Sequence, residues 1–168
     1  MKKAAAVVGL LMIWLVVSPR LWSQDKDHAE LAKAVAGAKV TLEQGLTASA
    51  HAGKPISAKF EIEDGKLQLS VYTAKGDAFS EVVVDHNTGK AAKTEPITSG
   101  EDLSAAKTQS EAMSKAKQSL YVTLTKVLKG NPGFRAVSIF PMLKDGHPVA
   151  DVTLTKGDEW KTVSEKLD

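Results

Sequence analysis

The chain of 168 residues contains no cysteine. That absence excludes disulfides, a thiol nucleophile, iron–sulfur clusters and cysteine-ligated zinc. Aromatic residues make up only 5% of the sequence, so any core must be built mainly from valine, leucine, isoleucine and alanine. The charges nearly cancel, with 22 lysines and arginines against 20 acidic residues, so we expect no nucleic-acid partner.

Motifs of the common enzyme classes are also missing. The sequence has no Gly-x-Ser-x-Gly elbow and no glycine-rich phosphate-binding loop. Glu61, Glu63 and Glu81 are more simply a solvated strand face than a hydrolytic carboxylate pair. No His-x-His or His-x-x-x-His spacing, which would favour a metal site, occurs among His28, His51, His86 and His147. We therefore expect no catalytic residues, no cofactor and no metal site, and hence a non-enzymatic protein.

The N-terminus has the form of an export signal, because Met1-Lys2-Lys3 precedes an uncharged run over residues 4–17 and a breaker at Pro19. This run is shorter than the roughly 20 residues that a membrane-spanning helix needs. We expect cleavage after Ser23 or a few residues away, with an uncleaved N-terminal anchor as the alternative. No cysteine follows the run, which argues against a lipid-anchored lipoprotein. Removal of residues 1–23 leaves a net charge of −1, and the product is predicted to be periplasmic or secreted, away from the membrane.

The remaining sequence repeats itself at a constant offset, equal to the separation of Asp64 and Asp145. Asp64-Gly65 recurs as Asp145-Gly146, and Lys75-Gly76-Asp77 recurs as Lys156-Gly157-Asp158. Each Asp-Gly pair lies between alternating apolar and polar residues, which predicts a type I′ hairpin turn. The sequence therefore predicts two halves with the same order of elements.

Each half is predicted to contain one helix followed by strands. Apolar residues at three- and four-residue steps indicate helices over 25–50 and 101–129, although Gly37 and Gly45 could break the first, and 120–124 also fits a strand. Segment 94–100 is predicted to be a linker. Alternation predicts strands over 56–63, 66–73, 78–84, 134–143, 147–155 and 159–164, with a short fourth strand over 90–93. The expected fold is α+β, as two tandem repeats, each with one helix packed on a three- to four-stranded antiparallel sheet.

The first half resembles the PepSY domain family. Its third strand runs into Val84-Asp85-His86-Asn87-Thr88-Gly89, which matches the family's Val-Asp-x-x-Thr-Gly signature. The resemblance covers residues 27–93 well, whereas 104–166 look like a degenerate copy that ends before the signature. The expected repeats are 24–97 and 98–168. The layout is also similar in outline to exported β-lactamase inhibitor proteins.

The resemblance implies a non-catalytic role, either in inhibiting or regulating peptidases or in sensing within the bacterial envelope. It brings no catalytic residue set, and Asp85 and Gly89 carry over only as turn residues. We therefore predict an exported regulatory protein whose partner is a peptidase or another envelope protein. The alternative is a sensor of a small ligand or metal, in a groove where His86 and His147 could approach. A hydrolase ranks last, and the oligomeric state stays open.

Strand phasing predicts apolar groups on the side of the sheet turned away from the helices. If Val137, Ile139 and Leu143 face a helix, Phe140 and Met142 face away from it. Tyr72 and Val149 also point away from their helices under this phasing. Aromatic residues among polar neighbours suit anchors for a protein partner. The alternative is that the two halves form one surface or pack together and bury these groups. The candidate partner-binding residues are Tyr72, Phe140, Met142 and Trp160, and the structural turn residues are Asp64, Gly65, Asp85, Gly89, Asp145 and Gly146.

Overall fold

The computed structural model describes residues 20–168, so the signal sequence expected over residues 1–23 lies largely outside the described chain. The first half contains α1 (Arg20–Gly37), α2 (Leu42–Ala48), a 3-10 turn (Ser49–His51), β1 (Lys54–Glu63), β2 (Lys66–Lys75), β3 (Ala78–Val84) and β4 (Ala91–Ile97). The second half contains α3 (Gly100–Lys115), α4 (Leu120–Lys129), β5 (Arg135–Lys144), β6 (His147–Lys156) and β7 (Glu159–Lys166). Within residues 20–168, no helix is both long and apolar enough to cross a membrane.

All seven strands belong to one antiparallel sheet, in the order β4-β3-β2-β1-β5-β6-β7. The two halves meet where β1 pairs with β5, through Ala58 opposite Ile139 and Lys59 opposite Ser138. The α+β class is confirmed, and the two halves share one continuous sheet, a point that the sequence left open. The pairing satisfies the backbone groups that two open strand edges would otherwise leave without partners.

Each half has two helices where one was predicted. In the first half, the helix stops at Gly37 and restarts after Thr41, whose hydroxyl accepts from the Gln44 N–H (3.3 Å) while the Gln44 side chain accepts from the Thr41 N–H (2.8 Å). In the second half, Ser119 caps α4 by accepting from the Val122 N–H (3.3 Å). These side chains satisfy free N–H groups at each new helix start, which lowers the energetic cost of the interruption.

The strand boundaries of the two halves are related by the same offset as the Asp-Gly turns. Strand β5 begins and ends at this offset from β1, and strand β6 begins and ends at this offset from β2. Ile56 and Val137, which are related by this offset too, each form a β-bulge that leaves one extra residue in the first strand of its half. The β4 strand differs from the prediction, because it extends to Ile97 and takes in most of the expected linker.

Part of the core lies between one face of the sheet and helices α2 and α4, and buried residues of α1 and α3, such as Val35 and Met113, belong to the same cluster. Gly45 in α2 lies so close to Leu69 that an added Cβ would stand 2.8 Å from its side chain. On the same face, Lys126 of α4 forms an ion pair with Glu165 of β7 (2.5 Å). The strand residues of this face with no exposed surface are Ala58, Leu69, Val71, Val82, Ile139, Ala150, Val152 and Leu154.

Two side chains fix each half to the helices of the other half. Lys54, at the start of β1, donates to the carbonyl oxygen of Met113 in α3 (3.1 Å). Arg135 holds the corresponding position in β5 and donates to the carbonyl oxygens of Ala38 and Val40, in the break between α1 and α2 (3.0 and 3.3 Å). These crossed hydrogen bonds satisfy carbonyl groups that a helix end leaves free.

The two Asp-Gly hairpins adopt the backbone geometry of type I′ turns. Asp64 and Gly65 have φ angles of 49° and 72°, and Asp145 and Gly146 have φ angles of 51° and 82°. Positive φ at both central positions is what this turn needs in order to match the twist of its strands. The four predicted turn residues therefore lie where a tight reversal is required.

The turn after β3 is organised by Asp85. Its carboxylate accepts hydrogen bonds from the backbone N–H groups of Asn87 and Thr88, both at 2.8 Å. The Gly89 N–H then donates to the Asp85 carbonyl oxygen (2.8 Å), with Gly89 at a φ of 73°. The bonds from Thr88 and Asn87 hold the pKa of Asp85 below its usual value.

The pKa of Asp85 gives a testable dependence of stability on pH. Its ionised form stabilises the fold above the ordinary value of 3.8, and this contribution disappears as pH falls through the lower pKa of the folded state. Asp85→Asn keeps an acceptor oxygen but removes the charge. We expect urea denaturation to show a less stable variant at about pH 6 and a smaller difference at about pH 2. Asp77→Asn, in the exposed turn before β3, is the matched control, and an equal gap at both pH values would contradict this account.

Replacement of Gly53, which directly precedes β1, should destabilise the fold. It has a φ of 155°, and an added Cβ would lie 2.6 Å from the carbonyl oxygen of Ala74, a backbone atom that cannot turn aside. We expect Gly53→Ala to lower the free energy of unfolding by about 2–4 kcal/mol, measured in urea. Gly37→Ala is the control, because nothing lies within 4 Å of its added Cβ. A similar loss in both variants would show that the contact with Ala74 is unimportant.

Candidate functional site

The candidate site is the side of the sheet turned away from α2 and α4, which we term the far face. Cross-strand pairing places one row of residues across it, and Lys59 on β1 is the centre of this row. The row consists of Val83, Ser70, Lys59, Ser138, Thr153 and Thr162. Side chains two residues along each strand share this face, so the register decides which predicted residues meet.

The register brings Tyr72, Phe140 and Met142 onto the far face. Tyr72 on β2 pairs with Ser57 on β1, and continuing the β1–β5 register by one residue places Ser57 beside Phe140. Met142 lies two residues beyond Phe140 on β5. All three predicted side chains are partly exposed. They form a short apolar strip that crosses the junction of the two halves.

Helix α3 lies on the far face and contacts β2, β1, β5 and β6, the strands around this strip. The hydroxyl of Ser57, which is fully buried, donates to the side chain of Gln109 in α3 (2.7 Å). Asp102, in the first turn of α3, lies near enough to Tyr72 to add to the rise of its pKa. The expectation that the strip faces away from every helix is therefore wrong, because α3 packs on the same face. Tyr72, Phe140 and Met142 each keep part of their surface accessible beside α3.

Trp160, the fourth predicted residue, lies away from this strip. It is near the start of β7, the outermost strand and two strands away from β5. Its ring stacks on His28 of α1, with centroids 4.7 Å apart and planes inclined by 25°. Trp160 therefore holds α1 against the sheet edge and stands apart from the other three residues.

A polar network borders the strip in the first half. The Lys59 ammonium forms an ion pair with Glu61 (2.5 Å) and lies 5.7 Å from the centre of the Tyr72 ring. The Ser70 hydroxyl donates to Glu61 (3.2 Å) and accepts from the Gln68 amide (2.9 Å). Neighbouring strands thus fix one another's polar side chains, and the far face presents an ordered surface.

Burial and neighbouring charges shift the pKa values of Lys59 and Tyr72, partly in opposite directions. Burial lowers the pKa of Lys59, but the hydrogen bond to Glu61 and the nearby Tyr72 outweigh it, so the pKa is raised. Burial raises the pKa of Tyr72; Lys59 opposes this rise and Glu81 adds to it. At neutral pH the far face therefore offers a cationic Lys59 and an uncharged phenol that can donate a hydrogen bond.

A second polar network borders Phe140 in the other half. Asp151, directly opposite Phe140 in the register, accepts hydrogen bonds from the Ser164 hydroxyl and from Lys144, the latter at 3.1 Å. Lys144 also donates to Ser164 (3.0 Å). The bonds from Ser164 and Lys144 lower the pKa of Asp151, which stays ionised beside the apolar strip.

The histidines proposed for a metal sensor are not brought together. His86 follows the end of β3, whereas His147 opens β6 at the opposite end of the sheet, where its Nδ1 lies 3.1 Å from Asp168. Residues 20–168 contain no group of three histidine or carboxylate side chains placed to hold a metal ion.

An apolar surface on the helix side was not among the residues predicted from the sequence. Tyr121 and Val122 in α4 are 49% and 52% exposed, more than other large apolar residues in the described chain. The signal for them was present, since both lie outside the apolar stripe of Leu120, Leu124 and Val127. A hollow beside Tyr121 depends on how α4 packs against α2, which the local sequence does not show.

Comparisons with known proteins identify no family. No protein-family model matches the sequence, and no curated protein matches it. A solved structure with some likeness is that of a candidate lipoprotein from Clostridium difficile 630, with 15% sequence identity and a TM-score of 0.37. The alignment covers 68% of this chain and 76% of that one. A likeness at this level carries no argument about fold or function, and the PepSY resemblance stays a prediction.

Removal of the Lys59 charge should be visible at Tyr72. Because Lys59 lowers the pKa of Tyr72, Lys59→Met should raise that pKa further. The phenol carbon shift of Tyr72, followed by NMR against pH, measures this change, with Tyr121 on the helix side as an internal reference. Lys93→Met, which removes an exposed ion pair on β4, is the matched control. An unchanged or lower Tyr72 pKa in Lys59→Met would contradict the described geometry.

Proposed function

We propose that the protein is an exported, non-enzymatic regulator that docks on an envelope peptidase through its far face. The observation that carries this proposal is the apolar strip of Tyr72, Phe140 and Met142 set between two ordered polar networks. Apolar anchors at the centre of a surface, surrounded by charged and hydrogen-bonding groups, are the usual arrangement of a protein-binding site. The peptidase as partner comes from the PepSY resemblance.

The geometry favours binding over catalysis for these residues. Lys59 is held in an ion pair with Glu61, and Asp151 is held by Ser164 and Lys144, so their charges are already compensated. Such fixed groups orient a partner and lose little conformational freedom when they are covered. The mechanism that follows is steric, in which a preformed sheet surface covers or narrows the access to the partner's active site.

We also propose that the two halves are tandem PepSY-like repeats whose copies have diverged on this face. The constant offset in the strand bounds and the paired bulges support this proposal. Phe140 and Met142 take the places of Lys59 and Glu61 in the other half. The second half then supplies apolar anchors where the first half supplies an ion pair, and the joined sheet presents both in one surface.

Site-specific photocrosslinking tests which surface meets the partner. A benzophenone amino acid is placed at position 72 or 140 in the cell, with position 122 on the exposed side of α4 as the matched control. We expect residues 72 and 140 to crosslink to an envelope peptidase and residue 122 to give no such product. Peptidase crosslinks from residue 122 alone would overturn the docking surface, and far-face products without any peptidase would overturn the proposed role.

The crosslinked peptidase then allows a direct test of inhibition. Phe140→Asp places a charge at the centre of the strip, and we expect it to weaken inhibition at least about 30-fold, the range of an interface hot spot. Val122→Asp should leave inhibition unchanged. The midpoint of thermal unfolding shows whether each variant folds, and Met142→Lys repeats the test at a second position. Full inhibition by folded Phe140→Asp and Met142→Lys would contradict the proposal, and loss of folding in both would assign these residues to the core.

A further inference from the structure

The helix side of the molecule has an apolar pocket where the two halves meet. It has a volume of about 290 Å³, and its surface is overwhelmingly apolar. The first half contributes residues from α2 to the start of β1, and the second half contributes the start of α4. The lining residues are Leu46, Thr47, Ala50, Lys54, Pro55, Ser119, Leu120 and Tyr121.

Small side chains on one wall leave this space empty. The buried side chains of Leu46 and Leu120 form its base, each only 2% exposed. Above them the chain carries Thr47 and Ala50, which are too short to reach across to α4. Tyr121 stands at the rim with half of its surface exposed. The volume of about 290 Å³ suits a short acyl chain or one aromatic ring, at the lower end of the usual size of ligand sites.

The charge of the lining is of one sign. Lys54 is the single cation among the eight lining residues, and none of them is a carboxylate. Its ammonium group gives one hydrogen bond to the Met113 carbonyl oxygen (3.1 Å), which fixes its position and leaves two of its three N–H donors. A ligand with an apolar body and an anionic end would place the body over Leu46 and Leu120 and the anion at Lys54.

We propose that this pocket binds a small amphipathic anion, such as a medium-chain carboxylate. The apolar wall of the pocket lies on the side of α2 and α4, away from the far face, while Lys54 at its edge also contacts α3 through Met113. Occupation of the pocket would bridge α2 of the first half and α4 of the second. The ligand therefore binds at the junction of the halves and stabilises the assembled fold by mass action.

Octanoate is the probe for this site, with octylammonium of the same chain length as the matched control ligand. Isothermal titration calorimetry on the full chain should show saturable binding of octanoate and at least about fivefold weaker binding of octylammonium. Amide shifts in a ¹H–¹⁵N spectrum should concentrate at Leu46, Ala50 and Tyr121. Equal binding of both ligands, or shifts spread away from these residues, would overturn the proposal.

Three variants distinguish binding in the pocket from non-specific binding. Ala50→Phe fills the space and should abolish saturable octanoate binding, whereas Lys54→Gln should weaken octanoate about fivefold and leave octylammonium unchanged or slightly tighter. Val122→Ala removes a neighbouring exposed side chain that does not line the pocket, and it should bind as the wild type does. If Ala50→Phe fails to fold, Lys54→Gln still decides the matter, because unchanged octanoate affinity in that variant contradicts the assigned role of Lys54.

Discussion

The pairing of β1 with β5 joins the two halves, and the remaining architecture depends on this contact. Ala58 opposite Ile139 and Lys59 opposite Ser138 fix the relative register of the seven strands. A shift of one residue would move every side chain of one half to the other face of the sheet. The apolar strip would then be divided between the two faces. The same register brings α2 beside α4, so both the far face and the helix-side pocket follow from one pair of strands.

The strands were predicted well from the sequence, because apolar alternation and turn dipeptides can be recognised within short segments. Alternation and the Asp-Gly turns placed β3 at its observed bounds and the other long strands within two residues of theirs. The edge strand β4 was largely taken for a linker, since its residues are exposed apart from Ile97 and show no apolar alternation. The helix breaks could have been found from Thr41 with Gln44 and from Ser119, which are recognisable capping residues. The bulges at Ile56 and Val137 depend on pairing and left no clear local pattern.

The two candidate sites differ in how far the sequence could reveal them. Strand phasing was enough to place Tyr72, Phe140 and Met142 on one side, because a period of two fixes the direction of each side chain. It could not show that α3 reaches the same side, nor that Trp160 meets His28, since both depend on where a helix crosses the sheet. The pocket requires the packing of residues far apart in the sequence, such as Leu46 and Leu120. No periodicity within a helix carries that information.

The crossed hydrogen bonds of Lys54 and Arg135 have a consequence for how the molecule can come apart. Each donor lies in the first strand of one half, and its acceptors lie in the helical segments of the other half. If the halves separated, the carbonyl oxygens of Met113, Ala38 and Val40 would lose these hydrogen-bond donors. Opening the junction exposes Ala58 and Ile139, both fully buried, at the same moment as these bonds break. The two halves thus form a single cooperative unit, and partial detachment of one of them is not a low-energy state.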